Sequence, residues 1–237
     1  MEVYERLKKF LIENLSVLRG GTSIGGLREA PKFDLFPSDY LKFAEEELEL
    51  SESSGNNVRA KINCILHLKR ALDCQLDVFF ERLGFSEYLK KKNLGINSKL
   101  KFLTEAGIIK SRSIERFNTI RNKVEHHYQI PEVEDIEVYF DLITTLIANI
   151  EMTILALYSN REMTISSFPE DNKSLKMELA VFKDKPSIDL IIQDADETFN
   201  ATIDIDQREE FLSIFKIYIL LTKRESFASE DYIISQL

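Results

Sequence analysis

The segment Ser113-Ile-Glu-Arg-Phe-Asn-Thr-Ile-Arg-Asn-Lys-Val-Glu-His-His-Tyr128 decides how this chain is read. Phe117, Ile120, Val124 and Tyr128 recur every three or four residues with polar residues between them, the spacing of an amphipathic helix. Pro131 closes it, because a proline biases the residue before it away from helical angles. Arg121, Asn122, His126, His127 and Tyr128 therefore crowd the end of one helix, where the macrodipole favours a protonated imidazole. No other segment concentrates reactive side chains so densely.

The flanking sequence is helical as well. Upstream, residues 58–83 carry the apolar stripe Ile62, Ile65, Leu66, Leu72, Leu76, Phe79, Phe80 and Leu83. A second stripe of Ala60, Cys64, His67, Ala71 and Cys74 is narrow enough for another helix to approach closely, with His67 read as a hydrogen-bonded packing residue before an active-site one. Short helices are expected at residues 86–92 and 98–106, the latter closed by Gly107. Downstream, Val133, Ile136, Tyr139, Phe140, Ile143, Leu146, Ile147, Ile150, Ile154 and Leu157 hold a helical period whose wide apolar face requires a covering helix or a second subunit. Towards the amino end, residues 2–18 and a stretch from Pro37 to about residue 50 read as helices; the Gly-rich residues 20–26 between them match no phosphate-binding fingerprint and read as a flexible connector.

After Asn160 the pattern changes. Residues 175–182, 187–193 and 198–205 are β-rich or alternate apolar and polar positions, separated by turn residues, and a helix capped by Asp206 follows. The expected fold class is mainly α, a helical domain over residues 1–160 followed by a small β-β-β-α unit over residues 161–237.

Composition narrows the function. The net charge of −9 over 237 residues argues against an unselective nucleic-acid coat. Yet within residues 85–130 ten Lys and Arg stand against four acids, so a basic face is expected beside the histidine-rich helix. Cys64 and Cys74 lie ten residues apart on one helix, about 15 Å along its axis, too far for a disulfide, and read as buried free thiols. No Cys/His spacing suggests a metal and no cofactor is expected. No secretory leader is recognised, no stretch is read as approaching the roughly 18 apolar residues of a membrane span, and a cytoplasmic location is expected.

Arg121-Asn-Lys-Val-Glu-His126 resembles the Arg-x(4)-His signature of HEPN domains, all-helical modules of many prokaryotic ribonucleases and toxins. Asn122 directly after the arginine, the long helix with His67-Leu-Lys-Arg-Ala-Leu-Asp-Cys-Gln-Leu-Asp77, and Tyr128 followed by Pro131 extend the resemblance over roughly residues 55–160. It implies a HEPN-like helical bundle and a toxin- or defence-type endoribonuclease that cleaves RNA without metal, with Arg121, Asn122 and His126 catalytic. Arg112, Arg116 and Lys123 are candidates for RNA contacts. The Arg-x(4)-His-x-Tyr form further implies Tyr128 as a site of regulatory nucleotidylation by a nucleotidyltransferase-type antitoxin. On a helical wheel Arg121 and His126 stand about 140° apart, so one helix does not aim both at a single atom; family members dimerise, and a homodimer is expected here. The alternative is a non-catalytic HEPN scaffold that binds nucleotide or a partner protein. Outside the resemblance, Arg121 and Glu125 fit a surface ion pair and Tyr128 a core anchor.

Overall fold

The computed structural model describes residues 2–24, 31–53, 57–110, 112, 115–116, 118–119, 122–123, 130, 132–168, 174–182, 185–195, 197–224 and 226–237, the side chains of residues 19–24 and 133 excepted. The fold is mainly helical with a small antiparallel sheet. Helix α1 spans Glu2–Asn14, α2 Pro37–Ser53, α3 Val58–Arg82, α4 Ser86–Lys92 and α5 Ile96–Glu105. After the candidate-motif region come α6 at Val133–Ser159, α7 at Arg208–Leu221 and α8 at Glu230–Ser235.

The local signals that start and stop these helices are visible. The side chain of Asn57 accepts a hydrogen bond from Ala60 N at 3.2 Å and so caps α3, satisfying one of the amide groups a helix start leaves without an intrahelical acceptor. At the end of α5, Gly107 takes the left-handed φ of 72°, and Gly107 N and Ile108 N donate back to Thr104 O and Leu103 O. Helix α1 stops at Asn14, four residues short of its expected end, where Asn14 Nδ2 donates to Phe10 O at 2.8 Å. Helix α7 begins at Arg208 behind Gln207, so Asp206 is not its cap.

The strands hold the main departure from the sequence reading. The three expected strands are present as β3 (Leu175–Val181), β4 (Ser187–Asp194) and β5 (Glu197–Asp204). Two more join them: β2 (Glu162–Ser167) and β1 (Leu18–Ile24), giving a five-stranded antiparallel sheet in the order β1-β2-β3-β4-β5 among the described residues. Residues 20–24 are thus sheet and not connector. Glycines weaken a strand's intrinsic preference, but an edge strand needs only its backbone to pair. The pairing runs from Leu18↔Ser167 to Ile24↔Glu162, with an irregularity between Leu18 and Gly20 where a bulge is expected beside glycine. The sheet therefore draws on residues from both sides of the Asn160 division.

Two layers share one core. In the first, α3 packs between α2 and α6. In the second, α7 lies across β4 and β5 and also meets α1 and α5. Ten of its fourteen residues are buried, as befits a helix enclosed on nearly every side. Phe85 joins the layers: its ring lies 5.6 Å from Phe80 of α3, 5.4 Å from Phe102 of α5, 5.3 Å from Phe182 after β3, and 6.0 Å from Phe211 of α7, all edge-on. Polar ties bind the same halves. Glu210 of α7 accepts from Val3 N and Tyr4 N at the start of α1, at 2.8 and 3.2 Å. Arg224 donates to Leu18 O and, at 2.7 Å, to Leu15 O, while pairing with Glu230.

One expectation about membranes needs correcting. Helix residues Glu134–Ser159 of α6 are, by length and composition, apolar enough to cross one, their most apolar 18-residue window having a mean hydropathy of 1.6. In this fold one side of α6 (Ile136, Tyr139, Ile143, Leu146, Ile147, Ile150) is buried in the core.

Candidate functional site

The candidate motif lies between α5 and α6. Arg112, Glu115, Arg116, Asn118, Thr119, Asn122 and Lys123 are helical, in keeping with the periodicity, and Thr119 Oγ1 bonds Glu115 O at 2.8 Å. Arg121, His126 and Tyr128 lie outside the described residues, as does His127. Of their partners, Asn122, Arg112 and Arg116 are exposed. Arg112, Arg116 and Lys123 fall within about 40° of one another on the helix at 100° per residue. Lys123 is half-buried and its Nζ lies 3.3 Å from Asp135 Oδ2 in the first turn of α6, a tie between the motif helix and the bundle.

Of the remaining basic residues of the segment, Lys101 pairs with Glu105 at 3.6 Å and Lys110 is exposed beyond α5. Lys90, Lys91 and Lys92 are exposed at the end of α4, where cations suit the helix dipole. Lys99 is buried and paired with Asp77 of α3, so it clamps α5 to α3 and is withheld from any ligand. The basic face of the sequence is therefore smaller in the fold than in the charge count.

His67 is half-buried, and its ring meets Phe43 of α2 edge-on at 5.5 Å. Its Nδ1 is buried without a hydrogen bond, so the histidine packs as expected but lacks the expected bond. The small-residue stripe of α3 is met by α2 of the same chain, where Phe43 lies on His67, and by the segment before α2, where Cys74 Sγ approaches Leu35 O at 3.6 Å; beside the stripe Asn63 Nδ2 bonds Glu47 of α2 at 2.9 Å. That stripe is not left open for a second subunit. Cys64 is buried and Cys74 half-buried, both as free thiols. Burial, with Glu47 adding, pushes the Cys64 thiol up to about 12; burial, with Asp77, Asp39 and Asp73 adding, pushes Cys74 up to about 11. Neither is a nucleophile near neutrality. Among the described residues no group of three His, Cys, Asp or Glu could hold a metal ion.

A second group of chemically capable residues escaped the sequence reading. A cavity of about 580 Å³ opens between the turn after α5, helix α6, helix α7 and the carboxy-terminal segment, and Lys110, Lys216 and Lys223 line it. Lys110 lies more than a hundred positions from Lys216 and Lys223, and no local pattern links it to them.

Comparison of the chain with family models, with curated proteins and with solved structures gave no match.

Proposed function

We propose that the chain is a homodimeric, metal-independent endoribonuclease of HEPN type, acting in a toxin or defence system. The observation that carries this is the sequence motif Arg121-x(4)-His126 falling between the long helices α3 and α6, in a stretch whose described residues Arg112, Arg116 and Asn122 are helical and exposed to solvent. RNA cleavage of this kind needs a base to take the proton from the 2′-hydroxyl, an acid for the departing 5′-oxygen, and a fixed cation for the charge growing on the phosphorane. Histidine serves the first two near neutral pH, and the planar guanidinium of arginine serves the third. In this reading Arg121 and His126 act from two copies across one cleft, Asn122 orients the histidine or the substrate, and Arg112 and Arg116 hold the RNA backbone. Lys123 serves less as an RNA ligand than as the tie to Asp135.

Helix α6 supports the dimer in this reading, because its outer side presents Val138, Met152 and Leu155 to solvent, the last two more than half exposed at 62% and 56%. An apolar row of that kind suits a second copy. Tyr128 would then be the residue that a nucleotidyltransferase-type partner modifies to silence the enzyme.

The test is incubation of the purified protein with RNA in the presence of a chelator. Cleavage should persist and leave 2′,3′-cyclic phosphate ends, and Arg121→Ala or His126→Ala should each lower the rate by about 10²-fold or more. Absence of cleavage by the wild-type protein, together with no effect of either substitution on cells expressing it, overturns the reading.

A further inference from the structure

We infer that the cavity between α6, α7 and the carboxy-terminal segment is a binding site for a small ligand that joins a polyphosphate to a flat apolar group. Three observations carry this, and none depends on the ribonuclease reading.

The first is charge. Among the described residues Lys110, Lys216 and Lys223 line the cavity of about 580 Å³, and no Asp or Glu does. An adjoining cavity of about 310 Å³ shares Ile108, Asn149, Ile219, Lys223 and Phe227, and its described lining also holds no acid. In a chain of net charge −9, two contiguous cavities whose described lining carries cations and no carboxylate form a local inversion of sign. Lys110 and Lys223 make no ion pair among the described residues. Burial, with the charge of Lys110 adding, holds the Lys223 ammonium below its ordinary range, and both cations line the same cavity.

The second is construction. Gly107 stands at φ 72°, and a Cβ there would come within 3.2 Å of Lys216 Cγ; the glycine makes room for the lysine stem to lie across the turn. Lys216 Nζ is then fixed by Gln236 O at 2.9 Å. On the other wall, Asn149 Nδ2 donates to Ile108 O at 3.1 Å and ties α6 to the loop that carries Lys110. Beyond Lys216 the next cavity is lined by Glu105, engaged by Arg208 at 2.8 Å, and by Glu209.

The third is the apolar lining. Phe227 is 86% exposed and lines both cavities beside Lys223, and Tyr232 lines the larger one with Leu142 and Leu146. An aromatic ring held in solvent beside these cations suits stacking against a planar group while its phosphates reach the lysines. The volume is within the range of small-molecule sites.

The experiment is titration calorimetry of the full chain with ATP, with tripolyphosphate and with adenosine, in chelator-containing buffer. ATP should bind saturably and tripolyphosphate more weakly. Lys110→Gln with Lys223→Gln should weaken both by about tenfold or more, the loss expected when charged hydrogen bonds are removed. Phe227→Ala should weaken ATP and leave tripolyphosphate unchanged. Arg112→Ala with Arg116→Ala should change neither, which separates this site from the RNA face. Because the two lysines repel, the double glutamine variant should melt no lower than wild type without ligand, so a lost signal cannot be put down to misfolding. Absence of saturable binding of both ATP and tripolyphosphate by the wild-type chain, or equal binding by the lysine variant, overturns the inference.

Discussion

Replacing Phe85 by alanine should unfold the two halves of this protein together. Phe85 is fully buried, and its ring touches aromatic rings from α3, α5, the end of β3 and α7 at centroid distances of 5.3 to 6.0 Å. Deleting a buried phenylalanine ring costs about 3–5 kcal/mol through lost transfer energy and the cavity left behind. Collapse of the cavity is hindered because the wall is built from four separate elements. With total stabilities of about 5–15 kcal/mol for ordinary domains, the substitution should consume a large share. Phe85→Leu, which retains most of the volume, should cost about 1.5 kcal/mol or less. The assay is urea unfolding followed both by far-ultraviolet circular dichroism and by tyrosine fluorescence, since the chain has no tryptophan. Wild type and Phe85→Leu should each give one transition with coincident midpoints, and Phe85→Ala a single transition at much lower urea. A loss below about 1 kcal/mol, or two separable transitions in the wild type, would refute the view that the rings lock helices and sheet into one cooperative unit.

Further outcomes follow from the same coordinates. Glu210→Gln keeps the shape but removes the charge that receives Val3 N and Tyr4 N at the start of α1, and it should lower stability by about 1–2 kcal/mol in thermal melts. Gly107→Ala places a Cβ at φ 72° and 3.2 Å from Lys216, and should cost about 1–2 kcal/mol while weakening any ligand held by Lys216. Cys64 should resist thiol reagents at pH 8 until the protein is unfolded, with Cys74 reacting slowly. Because the folded state raises both thiols, their contribution is complete below about pH 9 and is lost as pH rises towards 11 to 12, at up to roughly 1.4 kcal/mol per pH unit for each proton. The alkaline fall in stability should be shallower in Cys64→Ala. Asp77→Asn leaves the ammonium of Lys99 buried beside a neutral amide, and should lower the melting temperature more than Lys99→Met, which removes both the charge and the need for its partner.

The helices were legible because each is written in neighbouring residues. Residues 58–83 and 133–160 hold a strict period and were read within about two residues of α3 (Val58–Arg82) and α6 (Val133–Ser159). The short α4 was read to the residue, and Gly107 did mark the end of α5. The sheet was half legible: β3 alternates buried and half-buried positions along its length, which is the signal a strand with one face on a core gives. Strand β1 carries no such signal, as Leu18-Arg-Gly-Gly-Thr-Ser-Ile24 is glycine-rich and polar.

The sequence by itself determined where the long helices lie, where the chain turns from helical to β patterning, and that Arg112, Arg116, Asn122 and Lys123 are helical, because periodicity and caps are properties of residues close along the chain. Only the tertiary structure decided that residues 18–24 complete the sheet, that α2 packs on the small-residue stripe of α3, and that Lys110 and Lys223 line one cavity. The reason is physical. A strand edge and a charged cavity arise from groups brought together across a hundred residues or more, and even neighbouring helices choose a packing face by contacts that no local pattern encodes.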